Sequence, residues 1–406
     1  FNALSELDEP GEWVIDRAAR KLYLKPLAGK KEMPVVSIVP TLVRAKGLTD
    51  VVFDGFTFEY ARDTVVALNG CRDVEIRTAT FRHTSNDAVE ITDGANCRVV
   101  GCDLYDLGKG GIRMRGGSLY TRRACGHTVD NCHIHHYGQV TYNYEPAIGM
   151  YGTGCRATHN LIHHSRHQGI QFKGNLHYIG YNVLHDLCMH NGDAGAIYSY
   201  NTTGAWQMRG SVIEYNAIHM VGDQPRAYMC DGIYLDAFVS GTTVRGNLVN
   251  RATQGIFSSG GQDNRIDRNV VMRCFQSIRK WNLGSGYHPC SKLGADSYIY
   301  YPLVRNREIF EMGFWKDACP NMLKPLDMPD PKFAQSSLFC GITSNALVAT
   351  SRVIFSDAGC YFNDTETGPY STVAGNVRFE EDPGFIDYFG GDWELKDDSP
   401  LRKLLG

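Results

Sequence analysis

The stretch Asn160-Leu-Ile-His-His-Ser-Arg-His-Gln, Gly169-Ile-Gln-Phe-Lys-Gly-Asn-Leu-His-Tyr-Ile-Gly-Tyr, Asn182-Val-Leu-His decides the fold. It opens and closes on the same short phrase, an Asn followed by two aliphatics and a His, with a period of 22 residues between Asn160 and Asn182. The phrase recurs in variant form as Cys102-Asp-Leu, Cys132-His-Ile, Asn216-Ala-Ile-His, Asn247-Leu-Val-Asn and Asn269-Val-Val-Met. A repeat of this length is that of a β-solenoid coil, and longer spacings are loops inserted at the corners. The fold class is therefore all-β, a right-handed parallel β-helix with loop insertions. Coils stack about 4.8 Å apart, so an Asn repeated at one corner bonds to the backbone and to the next Asn in the stack. The Asn line is a folding device.

A second line precedes each Asn: Gly111-Ile-Arg-Met-Arg, Ala147-Ile-Gly-Met-Tyr, Gly169-Ile-Gln-Phe-Lys, Gly195-Ala-Ile-Tyr-Ser, Gly232-Ile-Tyr-Leu-Asp and Gly255-Ile-Phe-Ser-Ser. Strand side chains alternate, so Ile170 and Phe172 point inward while Gln171 and Lys173 point out. The outward set is Glu90 and Thr92, Arg113 and Arg115, Gly149 and Tyr151, Gln171 and Lys173, then Tyr234 and Asp236, the lining of a polar groove. The Gly195 coil admits two registers, because a one-residue slip exchanges its inward and outward sets. The loop carrying Trp206 and Arg209 lengthens this coil beside the same face.

Composition supports one large folded unit. Of 406 residues 43% are hydrophobic and 21% charged, enough apolar material for a core. A formal charge of −3 gives no reason to expect nucleic acid or an anionic membrane as partner. No apolar run reaches the roughly 20 residues of a membrane span. The 13 cysteines form no paired Cys-x-x-Cys module and read as small buried hydrophobes, with a disulfide at Cys290 or Cys319 left open. No signal peptide begins at Phe1, and the chain starts as though an upstream part were missing. A single domain over 1–406 is expected, with a lead-in at 1–50, core coils at 51–274, an insertion or cap at 275–345 and C-terminal coils at 346–406. The helical-looking part near Asn306 to Phe314 is expected to cover the open end of the stack.

Chemistry is expected just before each outward strand, where Glu145, His167 and Asp193 hold equivalent places in successive coils. Asp231 sits one residue nearer its glycine, and Asp236 closes the same strand. Glycoside hydrolysis needs one carboxylic acid and one carboxylate, about 5–5.5 Å apart for retention or 6.5–9.5 Å for inversion. Asp193 with Asp231 fits neighbouring coils, whereas ideal strand geometry sets Asp193 and Asp236 on the order of 10 Å or more apart. Arg113, Arg115 and Lys173 support a competing lyase chemistry, in which Arg115 clamps a uronate carboxylate and Lys173 removes the adjacent proton. Tyr151, Gln171, Tyr234 and Trp206 complete the expected sugar contacts. The many histidines follow the aliphatic position of the repeat and recur because it recurs, so no metal site is expected. No cofactor is expected, with calcium left open. The partner is an oligosaccharide or polysaccharide, and oligomeric state is not set.

Leu7-Asp-Glu-Pro-Gly-Glu-Trp-Val-Ile-Asp-Arg, Lys21-Leu-Tyr-Leu-Lys-Pro, Gly192-Asp-Ala-Gly-Ala-Ile-Tyr, Asp231-Gly-Ile-Tyr-Leu-Asp and Gly260-Gly-Gln-Asp-Asn resemble segments of glycoside hydrolase family 141 and, more distantly, family 120. The resemblance runs to about Cys274, and Asp382-Pro-Gly-Phe and Leu395-Lys-Asp-Asp-Ser-Pro resemble the usual end of these enzymes. It implies a secreted or periplasmic bacterial hydrolase of α-L-fucosides or xylose-containing plant polysaccharide. It also implies Asp193 and Asp236 as the carboxylate pair, although a second Asp that usually follows is Ala237 here, which keeps Asp231 in play. Such enzymes usually carry additional coils ahead of the Pro-Gly-Glu-Trp segment. A non-catalytic carbohydrate-binding β-helix is the third reading.

Overall fold

A computed structural model describes residues 3–29, 34–141, 143–200, 208–222, 228–281, 300–328, 337–350, 352–356 and 370–405. Two compact units are present, Phe1–Ser37 and Ile38–Gly406. The first holds one antiparallel pair, Trp13–Asp16 with Lys21–Leu24, in which Trp13 faces Leu24 and Asp16 faces Lys21.

The second unit is a coil repeated into three parallel sheets of 11 strands each. One sheet runs from Val43–Lys46 to Arg352–Ser356 and is called the groove sheet. A second runs from Val52–Asp54 to Thr372–Ala374, and a third from Thr57–Glu59 to Val377–Phe379. Coils thus begin at Val43, eight positions ahead of Val51, and continue past Cys274. Most strands of the second and third sheets have three to five residues, short enough that a single aliphatic anchors each one. Ile134, Ile162 and Leu184 stack in register in the third sheet, and Ile112, Ile148 and Ile170 in the groove sheet. All six are fully buried in one continuous core. Each such side chain contributes roughly 1.5–3 kcal/mol by leaving water, so the repeat carries its stability coil by coil.

The Asn line forms at the corner between the second and third sheets. Asn160 Nδ2 donates to Asn182 Oδ1 at 2.9 Å, and the same bond links Asn182 to Asn216, Asn216 to Asn247 and Asn247 to Asn269. Each Oδ1 also accepts a backbone N–H from the preceding coil, as Asn182 Oδ1 does from Asn160. The ladder continues through Asn345 and Asn376, beyond the point where the phrase is readable in the sequence.

The helical segment comprises Tyr300–Arg305, Arg307–Phe310 and Gly313–Ala318. It lies on the flank of the stack, not over its end, because coils resume after it at Gly341–Thr343 and Ala346–Val348. Phe310, Trp315 and Leu303 pack with Ala237 and Phe238, and the Trp315 indole N–H donates to the Tyr120 carbonyl at 2.6 Å. The last strands and the helix Leu401–Leu405 cover outward aliphatics of the third sheet, Val270, Met272, Ala346 and Val348. Among the described residues no helix is long and apolar enough to cross a membrane. Cys319 is free and buried, as are the other described cysteines, and Cys290 lies outside the described residues.

Candidate active site

The groove sheet presents two outward columns, as the alternation implies. Arg113, Gly149 and Gln171 form one, continued by Tyr198, Tyr234 and Phe257. Arg115, Tyr151 and Lys173 form the other, and Asp236 stands opposite Tyr200 farther along. The Gly195 coil takes one register: Ile197 pairs with Ile170 and Ile233, so Tyr198 faces out beside Gln171 and Tyr234. Ala196, not Gly195, then matches Gly232. That position admits only a small residue, since a Cβ on Gly232 would come within 2.4 Å of Val249 Cγ1. Asp231 pairs with Gly195, and Asp193 lies four residues before Ile197 while Glu145 and His167 lie three before Ile148 and Ile170. The column expected to hold Glu145, His167 and Asp193 in equivalent places is therefore offset by one residue at Asp193.

That offset changes the carboxylate pairing. Asp193 has a left-handed backbone, φ 55°, immediately after Gly192, whose close approach to the Tyr228 carbonyl leaves no room for a Cβ. It is exposed, whereas Asp236 is partly buried and Asp231 has no exposed surface. The Tyr234 hydroxyl donates to Asp193 Oδ1 at 3.3 Å, and its ring stands edge to face with that of Tyr198, centroids 5.3 Å apart. Asp193 and Asp236 thus flank a pair of packed tyrosines, Asp193 bonded to Tyr234 and Asp236 to Tyr198.

Asp236 is the tuned member. Its Oδ2 accepts from the Tyr198 hydroxyl at 3.0 Å and its Oδ1 from the Ala237 backbone N–H at 2.7 Å. Burial, reinforced by the charge of Asp193, raises its pKa to about 6 despite these donors. A carboxyl near 6 is protonated often enough at working pH to act as a general acid. Asp231 sits beneath the pair. Burial pushes its carboxyl well above the usual range, and the Gln254 backbone N–H beside it does not reach hydrogen-bond geometry with either oxygen. With no exposure, Asp231 is out of reach of a substrate.

The other expected residues form a neighbouring cluster. Arg113 bridges Asp87, at 2.5 Å, and Glu145. Burial raises the Glu145 pKa and Arg113 opposes it. The Tyr151 hydroxyl donates to Gln171 Oε1 at 2.8 Å, its ring folded back over Gly149, where a Cβ would meet it at 2.9 Å. The Arg115 guanidinium lies 5.2 Å from the Tyr151 ring centre and the Lys173 ammonium 5.4 Å from that of Tyr200. Burial, with Arg115 nearby, lowers the Lys173 pKa. His167 is buried under the exposed ring of Tyr144, 5.1 Å between centroids, and burial lowers its pKa to about 4. Trp206 lies outside the described residues.

Tyr144, Tyr198, Asp87 and Arg279 complete the site and were not among the expected residues. Tyr198 was readable by aligning Ile197 with Ile233 in place of the glycines. Tyr144, on an inserted loop, and Arg279, 4.6 Å from the Phe257 ring centre, carry no such signal. No described carboxylate cluster in the groove has the geometry of a metal site.

A model of the right-handed β-helix region matches residues 64–228. The chain is a right-handed parallel β-helix. A search of curated proteins found no match. Among solved structures it is similar to PfbA, a surface adhesin of Streptococcus pneumoniae, at 15% identity over 59% of this chain and 66% of that one, TM-score 0.46. It is similar to a glycoside hydrolase at 12% identity, over 98% of this chain and 61% of that one, TM-score 0.44. It is also similar to a tailspike protein of E. coli bacteriophage HK620, in complex with a pentasaccharide, at 10% identity over 82% and 55%, TM-score 0.46. The matched regions thus span 66% of the adhesin chain, 61% of the glycoside hydrolase and 55% of the tailspike protein.

Proposed function

We propose that this β-helix is a glycoside hydrolase that binds an oligosaccharide across the groove sheet and cleaves it with Asp236 and Asp193. The observation that carries the proposal is the packed pair Tyr198 and Tyr234, whose hydroxyls bond a partly buried aspartate, Asp236, and an exposed one, Asp193. Asp236, protonated, gives its proton to the glycosidic oxygen. Asp193, ionised, either attacks the anomeric carbon or takes a proton from the attacking water. The exposed rings of Tyr144 and Tyr200 offer faces for sugar stacking, and the exposed Arg115 offers hydrogen bonds on the same sheet.

The resemblance of several segments to families 141 and 120 extends the proposal to α-L-fucosides or xylose-containing plant or algal glycans, and to a secreted or periplasmic location. Incubation with aryl glycosides and with a panel of such polysaccharides tests it. Release of new reducing ends is the expected result. Binding without release points to a carbohydrate-binding module and overturns the hydrolase reading.

Lys173 favours one second reading. A lysine with a lowered pKa in one column with Arg115, Tyr151 between them, supplies the two groups a uronate lyase uses, one to abstract the proton and one to neutralise the carboxylate. Ultraviolet absorbance from an unsaturated uronate product would identify that chemistry, and its absence on uronate polymers removes it.

A further inference from the structure

The third sheet, not the groove sheet, carries a column of stacked imidazoles. His135, His163, His185 and His219 lie ring on ring, with centroids 5.1, 4.7 and 4.8 Å apart in that order. The residue after each of the first three, His136, His164 and Asp186, has a left-handed backbone, φ 50°, 54° and 51°. At this turn the two columns meet. His163 pairs in register with His185, which fixes His164 and Asp186 one coil apart on the same edge.

We propose that His164, His185 and Asp186 form a binding site for a divalent transition-metal ion of the zinc class. One donor atom from each residue lies within 4.8 Å of the others. Tetrahedral ligands at zinc bond lengths stand roughly 3.3 Å apart, so a small rotation of surface side chains closes the set. Two imidazoles and one carboxylate select zinc, cobalt or nickel over calcium or magnesium, which demand oxygen ligands. At pH 7 most histidines are neutral and offer a lone pair. His164 is exposed, which gives the ion a path in and leaves a fourth position for water.

Repetition alone explains a ladder of histidines, as it explains the ladder of asparagines. From Asp106 to Asp186 the left-handed position that follows the stacked residues takes Asp or His, with Asp106 ahead of His136 and His164 and Asp186 after them. In the position held by His136 and His164 in the two preceding coils, the third coil supplies a carboxylate, hydrogen-bonded to His185 Nδ1 at 2.7 Å. The result is a mixed donor set in place of a third imidazole. An ion there would pin two coils together on a face separate from the groove, so this inference does not rest on the glycosidase reading.

Titration of the metal-free full chain with Co²⁺, followed by visible absorbance, and competition with Zn²⁺ test the site. The expected result is one Co²⁺ per chain with the intensified bands of a low-coordinate nitrogen–oxygen site, bleached by Zn²⁺. His164→Ala and Asp186→Asn should each weaken binding by about tenfold to a hundredfold or more. His159→Ala, which removes a surface histidine paired with Asp130 elsewhere, should leave binding unchanged. Far-ultraviolet circular dichroism of the variants confirms that each is folded. Absence of stoichiometric binding by the unaltered chain, or equal binding by folded His164→Ala and Asp186→Asn variants, overturns the proposal.

Discussion

Tyr198 and Tyr234 stand directly opposite each other on adjacent coils, their rings edge to face with centroids 5.3 Å apart, and their hydroxyls are aimed at different aspartates. Tyr198 serves Asp236 and Tyr234 serves Asp193. Two phenols therefore set the charge balance of the proposed carboxylate pair. Both are nearly fully buried, so their hydroxyls cannot swing out to water when a partner is removed.

The pH profile follows from Asp236. Its folded pKa of about 6 lies above the ordinary carboxylate value, so the acid form is present below that pH and lost above it. Turnover at low substrate should decline about tenfold per pH unit well above pH 6. Tyr198→Phe removes a donor that stabilises the ionised form, so the descending limb should move to higher pH, with kcat reduced about tenfold. Kinetics from pH 4 to about 9 measure both effects.

Asp231 gives a stability prediction of opposite character. Its folded pKa is raised above its unfolded value, so its favourable contribution is complete below about pH 4 and is lost as pH rises toward the folded value. Asp231→Asn keeps the shape and removes the ionisation. The variant should match the unaltered protein near pH 4 and exceed it by about 1–3 kcal/mol at pH 8, as measured by urea unfolding at both pH values. Its turnover should change by less than about twofold, since a carboxyl this deeply buried does not meet substrate.

The fold was legible because stacking turns a repeat into a direct record of register. Asn160, Asn182, Asn216, Asn247 and Asn269 sit where the spacing implies, and Ile170 and Phe172 face inward against Gln171 and Lys173 as alternation requires. Asn345 and Asn376 escaped notice because the insertion before them breaks the period, although the hydrogen-bond ladder does not break. The site was legible only in part. Strand spacing treats side chains as points on a ladder, and it cannot register that the long Tyr234 side chain reaches Asp193. Nor does it distinguish Ala196 from Gly195 as the small residue against the next coil, which is the one-residue difference that moved Asp193 out of line.

The ladder itself is open to test at Asn216. Its Oδ1 accepts from the Asn182 backbone and side chain, while its Nδ2 donates to the Ile179 and Glu214 carbonyls and to Asn247 Oδ1. Asn216→Ala leaves several buried groups without partners, each costing about 1–3 kcal/mol. A loss of at least about 3 kcal/mol is expected in denaturant unfolding.

Gly232 tests the packing beside the groove. Gly232→Ala forces a methyl against Val249 and the Gly255 carbonyl, 2.4 and 2.6 Å from an ideal Cβ. Overpacking of this kind costs about 1–3 kcal/mol, and the strain is flanked by Asp231 and Ile233. Thermal unfolding should show the loss, whereas Ala196→Gly at the matching position relieves no clash and should change stability by less than about 1 kcal/mol.

The central claim is that Asp193 and Asp236 form the working pair while Asp231 does not. The most direct measurement is kcat for Asp193→Asn, Asp236→Asn and Asp231→Asn on the best substrate from the glycan panel, with each variant confirmed folded. A fall of about a hundredfold or more is expected for the first two and near-unaltered turnover for the third. Full activity in either of the first two, or a comparable collapse in Asp231→Asn, would contradict it.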